Sequence, residues 1–347
     1  MYDIAIIGLG PAGATLARLL DKRYTVIAID KKKSKAGKCC GGLLSPDAQR
    51  ALARFNICLQ KDVLVDPQIF SVRVMDLDNH IEAFYQRFYI NMNRAKFDDF
   101  LISLIPDRVE TCYNTVCTRI DKEDYTSYSM ELKTNGVTRT ETAKIIIGAD
   151  GANSIVRNTF YGNHKIHRYI SIQEWYEDRT NSPSYSCIFD KEITDSYCWA
   201  ISKDQYFVLG GAFPVKDSGR SFEALREKIK KSGISFGKAV KREGCFVCVN
   251  KRLTGTCTGK NGAYLAGEAA GMISPSSLEG ISYAMESARK LAEAINENLQ
   301  DVGRRYFMGT LGIRIKIIFK IMKMLFISNR ILRKIIMKSG VKTIRAF

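Results

Sequence analysis

Three glycine-rich segments lie far apart in this 347-residue chain, and their residue types suit a phosphate-bearing dinucleotide. They are Gly8-Leu9-Gly10-Pro11-Ala12-Gly13, Gly148-Ala149-Asp150-Gly151 and Gly267-Glu268-Ala269-Ala270-Gly271. The first follows the apolar run Ile4 to Ile7 and opens a helix-like stretch, Ala12 to Leu20. That is the strand–turn–helix setting a dinucleotide fingerprint requires. Gly8 permits the tight turn, Gly10 lets the backbone approach a pyrophosphate, and Gly13 lets helix and strand pack closely. Around Pro11 and Ala12, unpaired N–H groups at the helix start face the phosphates, with the positive dipole end behind them. A second apolar strand, Tyr24 to Ile29, ends at Asp30 and Lys31, about 20 residues on, where a carboxylate takes the ribose hydroxyls. By itself this motif fits NAD or FAD, and the other two segments must decide.

The elements that position these segments follow from periodicity. Residues 1 to 32 read as β-α-β, and residues 47 to 55 as a helix with Asp47 near its start. Between Val65 and Asn91 the pattern is β, with a hairpin turn at Asp78-Asn79. A helix is expected from Arg94 to Ile105, stopped by Pro106. Residues 109 to 121 and 128 to 134 read as strands, and Lys144 to Gly148 as a short buried strand running into Asp150-Gly151. Strands dominate from Tyr169 to Val249, interrupted by a charged helix at Phe222 to Ser232. Tyr264 to Gly267 is a further buried strand and Gly280 to Leu299 a helix. Nucleotide-binding pieces thus alternate with β segments. This predicts an α/β fold: a discontinuous Rossmann-type domain over 1–65, 92–165 and 255–300, with an inserted antiparallel-sheet substrate domain over 66–91 and 166–254.

Composition is that of a globular protein, with 46% hydrophobic and 26% charged residues. The length allows two sizeable cores. No signal peptide is expected before the first strand, and ten irregularly spaced cysteines suit reduced thiols and a cytoplasmic address. Cys245-Phe246-Val247-Cys248 lies in a strand-like run, where residues three apart point to opposite faces, so a redox CxxC is not expected. Only three histidines occur, His80, His164 and His167, and no metal site is predicted.

The net charge of +17 is concentrated at the end of the chain. From Val302 onward there are 12 Lys or Arg and no Asp or Glu, whereas the first 301 residues hold 41 basic against 36 acidic. Lys316, Lys320, Lys323, Arg330, Lys334, Lys338 and Arg345 recur among Ile, Leu, Phe and Met at helical spacings. Charges interrupt every window long enough to span a bilayer. Residues 301–347 therefore read as a basic amphipathic helical tail, suited either to peripheral contact with the inner membrane surface or to packing over the dinucleotide domain. Without interleaved aromatics or a recognition module, nucleic acid is not an expected partner.

Over roughly residues 1 to 300 the arrangement resembles the flavoprotein hydroxylase and geranylgeranyl reductase group. Gly8, Gly10, Gly13 and Asp30 match the group's pyrophosphate fingerprint, and Gly148 to Arg157 match its second signature, including Asp150. Arg94-Ala95-Lys96-Phe97-Asp98-Asp99-Phe100-Leu101 is similar to its Arg-x-x-Phe-Asp-x-x-Leu element. The resemblance implies FAD, with Arg94 against the cofactor and the Val116 backbone at the adenine. The third segment carries Gly267-Glu268 where the group has Gly-Asp, which keeps the acceptor and moves it outward. Gly280 and Ile281 then open a helix whose N-terminus, by resemblance, faces the flavin and stabilises its reduced, anionic ring. Arg157 is expected to be a helix-surface charge.

Two segments narrow the implied chemistry. Cys39-Cys40-Gly41-Gly42-Leu43 is similar to the Cys-Gly loop of geranylgeranyl reductases, which places Cys40 beside the flavin with Gly41 and Gly42; a simple turn with incidental cysteines is the competing reading. Tyr197-Cys198-Trp199-Ala200-Ile201-Ser202 is similar to that family's Tyr-x-Trp-x-Phe-Pro segment, keeping Tyr197 and Trp199 as an apolar wall for a prenyl chain; the competing reading of Trp199 is plain core. Protons would come from water, Tyr197 or Cys40. The resemblance is strongest to the smaller bacterial branch associated with colicin M resistance. It implies reduction of a prenyl lipid double bond by FAD charged from NAD(P)H or ferredoxin. The alternatives are an aromatic monooxygenase and a non-catalytic polyprenyl-binding flavoprotein.

Overall fold

The computed structural model describes residues 1–31, 38–124, 127–163, 166–177, 182–234, 236–252, 255–340 and 343–344. His164 and Arg345 lie outside the described residues. The chain divides into two compact units: Met1–Ala36, Ala95–His167 and Cys248–Ile321 form the first, and Gly37–Arg94, Arg168–Val247 and Met322–Phe347 the second.

The first unit is built on a parallel sheet with the strand order Ala263–Leu265, Val137–Gly148, Tyr2–Ile7, Val26–Ile29, Val109–Cys112. Alternation along Tyr2–Ile7 decides which core each side chain enters. Ile4 and Ile6 join Leu16, Leu291 and Tyr306 on one face, while Ala5 and Ile7 join Ile146, Leu265 and Met272 on the other. A sheet buried on both faces reads as continuous apolar runs, which is why these strands are plain in the sequence. The helices Pro11–Leu19 and Ile281–Glu297 close the first core through Leu16, Ala17, Ala288 and Leu291.

Two expectations are corrected here. The run 109–121 is two strands, Val109–Cys112 and Thr115–Lys122, separated by a turn in which Asn114 has φ +52°. The strand before Asp150 spans Val137–Gly148 rather than starting at Lys144. Its polar first half pairs antiparallel with Tyr128–Thr134, and an exposed, charged ribbon carries no apolar signal.

Among the described residues, the second unit is built on a nine-stranded, largely antiparallel sheet. Its central order is Arg168–Glu177, Tyr206–Pro214, Cys198–Lys203, Ser184–Phe189, Ile69–Asp76, Ile81–Asn91. The helix Ser218–Lys231 covers one face with Phe222, Leu225 and Ile229 against Ile172, Leu209, Ala200 and Ile188. The opposite face carries a cross-strand row, Gln173–Gly210–Trp199–Cys187–Val74. The expected hairpin between Ile69–Asp76 and Ile81–Asn91 turns at residues 77–80.

The tail forms three helices, Val302–Gly309, Leu311–Ser328 and Arg330–Lys338, before Thr343–Ile344 pairs with Phe84 and Tyr85. None of the described helices is long and apolar enough to cross a membrane.

Candidate functional site

In the first unit the three glycine segments close on one another. Gly8, at φ +99°, lies so near the second segment that a Cβ there would stand 2.7 Å from the Asp150 Cα. A Cβ on Gly151 would point at Glu268 Oε2, 3.8 Å away. One on Gly267 would meet the Ala12 Cβ at 3.1 Å, returning to the first helix. The separations in sequence vanish because strand Tyr2–Ile7 runs parallel beside Val137–Gly148, which in turn flanks Ala263–Leu265.

Within this ring the glycines are not equivalent. A Cβ on Gly13 would strike the Gly8 carbonyl oxygen at 1.8 Å, so that glycine is required by backbone contact. Around Gly10 a Cβ would meet nothing within 4 Å. Gly10 therefore borders open space at the start of a helix that has Pro11 in its first turn and no side-chain cap. The helix Ile281–Glu297 likewise starts at Gly280 with no side-chain cap. Uncapped N–H groups beside open space are a natural seat for anionic oxygens. Asp30 Oδ2 accepts the Leu9 N–H at 2.7 Å and so ties the first turn to the end of the second strand. Lys31 and Val116 are exposed, and Thr115, beside Val116, donates its backbone N–H to the Asp30 carbonyl.

Asp150 accepts the Ile155 N–H at 2.7 Å through Oδ2, while Oδ1 is buried with no partner among the described residues. Burial raises the carboxyl above its ordinary range, against the lowering effect of hydrogen bonds from Ser154 and Ile155. Glu268 directs Oε1 at the Cys248 N–H, 2.8 Å away. The added methylene thus carries the acceptor to a neighbouring backbone amide.

Arg157 overturns its expected place on a helix surface. It is buried, donating to the Ala269 carbonyl at 2.9 Å and to the Ala152 carbonyl, and it staples the second segment to the third. Its helix, Ile155–Phe160, is too short for periodicity to reveal an inward face. Ser287 was also missed; its Oγ accepts the Gly267 N–H at 2.9 Å.

In the second unit the Cys39–Gly42 loop lies across one face of the sheet. Trp199, Ile201 and Lys203 alternate onto that face from strand Cys198–Lys203. The loop follows them: Gln173 Nε2 donates to the Cys40 carbonyl at 3.4 Å, Gly41 leaves only 2.8 Å between its absent Cβ and Ile201 Cδ1, and Gly42 faces Lys203 and Met92. Gly42 has φ +64° and donates its N–H to Cys40 Sγ at 3.4 Å. Beneath it, the buried Lys203 Nζ donates to Asn91 Oδ1 at 2.6 Å, Met92 O at 2.9 Å and Gly42 O at 3.2 Å. Burial pulls the Lys203 amine down to about 7, against the opposing influence of Cys40 and Asp204. Sequence reasoning passed over this lysine, and its position two residues beyond Ile201 on the same strand face was the available signal.

Tyr197 and Trp199 are both buried, with ring centroids 5.9 Å apart; Tyr197 also meets Phe189 at 6.3 Å, and Tyr185 meets Tyr89 at 5.8 Å. Burial raises the Tyr197 hydroxyl well above its usual range. Two buried polar atoms on this face, Trp199 Nε1 and Gln173 Oε1, have no partner among the described residues. Gly210, between them in the row, lets both side chains close in, since a Cβ there would stand 2.6 Å from Trp199 Nε1. Arg94 begins the helix Arg94–Ser103 and is half-buried. The structure thus brings together Cys40, Gly41, Gly42 and Trp199 through one sheet face, with Tyr197 at the head of its strand. Separately, it gathers Gly8 to Gly13, Asp30, Asp150, Gly267 and Glu268 in the first unit. Among the described residues no cluster of His, Cys, Asp and Glu could hold a metal.

No family model matches the chain. Protein CbrA of Shigella sonnei is 46% identical over 344 residues, covering 98% of this chain and 97% of its own length. Protein CbrA of Escherichia coli O157:H7 is 46% identical over 343 residues, with the same coverage. Among solved structures, a geranylgeranyl bacteriochlorophyll reductase-like protein from Thermoplasma acidophilum superposes with a TM-score of 0.79 at 17% identity, over 94% of this chain and 87% of that one. A probable FAD-dependent monooxygenase, pqsL of Pseudomonas aeruginosa, gives 0.69 at 16% identity, over 95% and 98%. The flavin-dependent halogenase CmlS gives 0.70 at 17% identity, over 90% of this chain and 62% of its own. The fold is that of the FAD-binding flavoprotein oxidoreductases.

Proposed function

The chain belongs to the CbrA family, and from that premise we propose that it is an FAD-dependent oxidoreductase reducing carbon–carbon double bonds of a prenyl lipid. The observation that carries the reading is the closure of the three glycine segments around open space at an uncapped helix start. These residues fit FAD. Gly10 leaves the room a pyrophosphate needs, the N–H groups beyond Pro11 supply its donors, and Asp30 stands where a ribose is held. Asp150 Oδ1, without a partner among the described residues, adds a buried acceptor at the second segment.

When bound and reduced, FAD supplies the hydride for a carbon–carbon double bond. The rest of the chemistry falls to side chains. Tyr197, Trp199, Tyr185 and Phe189 form an aromatic surface on which an isoprenoid chain can lie out of water. Gly41 and Gly42 hold the Cys40 loop flat over Ile201 and Lys203. The Tyr197 hydroxyl, raised by burial, keeps its proton at neutral pH, whereas Lys203 Nζ, lowered by burial, exchanges one near pH 7. The likeness to a geranylgeranyl bacteriochlorophyll reductase-like structure supports the substrate class, and NAD(P)H or ferredoxin is the proposed donor class.

Anaerobic reduction of the purified flavoprotein with dithionite, followed by candidate lipids, tests this reading. Reoxidation of the flavin by a prenyl lipid, with product two hydrogens heavier, is the expected result. A chain that reoxidises only with oxygen and an aromatic substrate is a monooxygenase, and one that binds polyprenyl lipid unchanged is a carrier.

A further inference from the structure

A helix on a protein surface normally buries its apolar stripe and turns its charges to water. The last helix, Arg330–Lys338, instead buries a charged residue beside Met337 and turns two isoleucines outward. Arg333 is 5% exposed, while Ile331 is 69% and Ile335 59% exposed. At 3.6 residues per turn, Ile331 and Ile335 lie on the side opposite Arg333, with Leu332 beside them and the exposed Lys334 and Lys338 along the flank.

This orientation is fixed by ionic contacts. Arg333 Nε reaches Asp76 Oδ2 at 2.7 Å and its Nη2 reaches Asp76 Oδ1 at 2.9 Å. A second carboxylate, Asp78, contacts Nη2, and Nη1 donates to the Ile327 carbonyl at 2.9 Å. Asn79 Nδ2 adds a bond to the Arg330 carbonyl at 3.0 Å. Such a pinned arginine prevents the helix from rolling its isoleucines inward.

The preceding helix, Leu311–Ser328, buries one apolar side and exposes another. Its fully buried residues are Ile317 and Ile321. Ile315, Phe319, Met322 and Phe326, at i, i+4, i+7 and i+11, make an outward row that is 43%, 65%, 50% and 48% exposed. Lys316 and Lys320 lie to one side of it.

We propose that the last helix docks the protein on an anionic lipid surface, with its outward apolar row in the headgroup–acyl boundary and its lysines on lipid phosphates. Charge selects this occupant. The segment from Val302 onward has 12 basic and no acidic residues, so a second copy of the same face would bring like charges together. An anionic bilayer complements it, since basic residues near the surface and apolar residues below it reinforce each other. The helix would lie along the membrane surface, being too short to cross it.

Flotation of the full-length chain with vesicles tests it. At low salt the protein is expected to float with mixed phosphatidylglycerol–phosphatidylcholine vesicles, to float poorly with pure phosphatidylcholine, and to be released by high salt. I331E/I335E alters only exposed positions and is expected to lower binding about tenfold or more, with unchanged thermal unfolding. K334E/K338E, which keeps the apolar row, is expected to remove the preference for anionic vesicles. The proposal is overturned if the wild-type chain stays in the lipid-free fraction at low salt, or if both variants bind like it. A lipid-free dimer that I331E/I335E converts to monomer would also overturn it, assigning the face to self-association.

Discussion

Lys203 is the residue whose chemistry is most perturbed by its surroundings. Its ammonium has three neutral oxygens as partners and no carboxylate among them, so burial dominates and its proton is released near pH 7 instead of above 10. The sign of the consequence follows from linkage. Between about pH 7 and pH 10.5 the unfolded chain binds this proton and the folded chain does not, so stability rises with pH across that window and is lowest below pH 7. Thermal unfolding from pH 7 to pH 9 should show a gain of about 2 kcal/mol that Lys203→Met abolishes. A variant with the same pH slope as wild type would refute the assignment. Lys203→Met should also loosen the Cys40 loop, since the Gly42 and Met92 carbonyls lose their donor. Neither the lysine nor the buried Arg157 was recognisable by composition: cations are expected outside, and both are placed inside by carbonyl groups that only the fold assembles.

At the scale of elements, the first turn separates two uses of glycine that the fingerprint cannot distinguish. Gly13 is needed by helix–strand contact, whereas Gly10 borders space kept open. Gly13→Val should therefore destabilise the fold by about 1–3 kcal/mol or more, because a Cβ cannot share space with the Gly8 carbonyl. Gly10→Val should leave the unfolding temperature nearly unchanged while reducing FAD retention. Measuring bound flavin absorbance and thermal unfolding on both variants checks the contrast, and equal loss of stability would count against it. Strand and helix positions around this turn were legible because a doubly buried parallel sheet writes continuous apolar runs. The ribbon Tyr128–Thr134 with the first half of Val137–Gly148 was only half legible, since its outer strand is polar and exposed.

For the whole molecule, the C-terminal segment is the least expected part. Its basic, apolar character was plain in the sequence, but the pinning contact is Arg333 with Asp76 and Asp78, about 255 positions earlier. Arg333→Met should leave two largely buried carboxylates without their cation and destabilise the second unit by about 3–5 kcal/mol. Faster trypsin cleavage within 322–340 and a lower unfolding temperature are the expected readouts, with Asp76→Asn on the Met background recovering part of the loss. Unchanged proteolysis would show that the helix is held by other contacts.

The sequence alone determined the local pieces: fingerprint, hairpin, helix starts and basic tail. Each is written in residues close together, where backbone geometry and apolar periodicity act over a few positions. Only the tertiary structure decided which pieces touch. Gly8 meets Asp150, Gly151 meets Glu268, Gly267 meets Ala12, and Arg333 meets Asp76 through strand order and register, which bring distant residues into contact. The physical reason is that burial and charge pairing depend on neighbours in space, and a linear pattern fixes neighbours only along the chain.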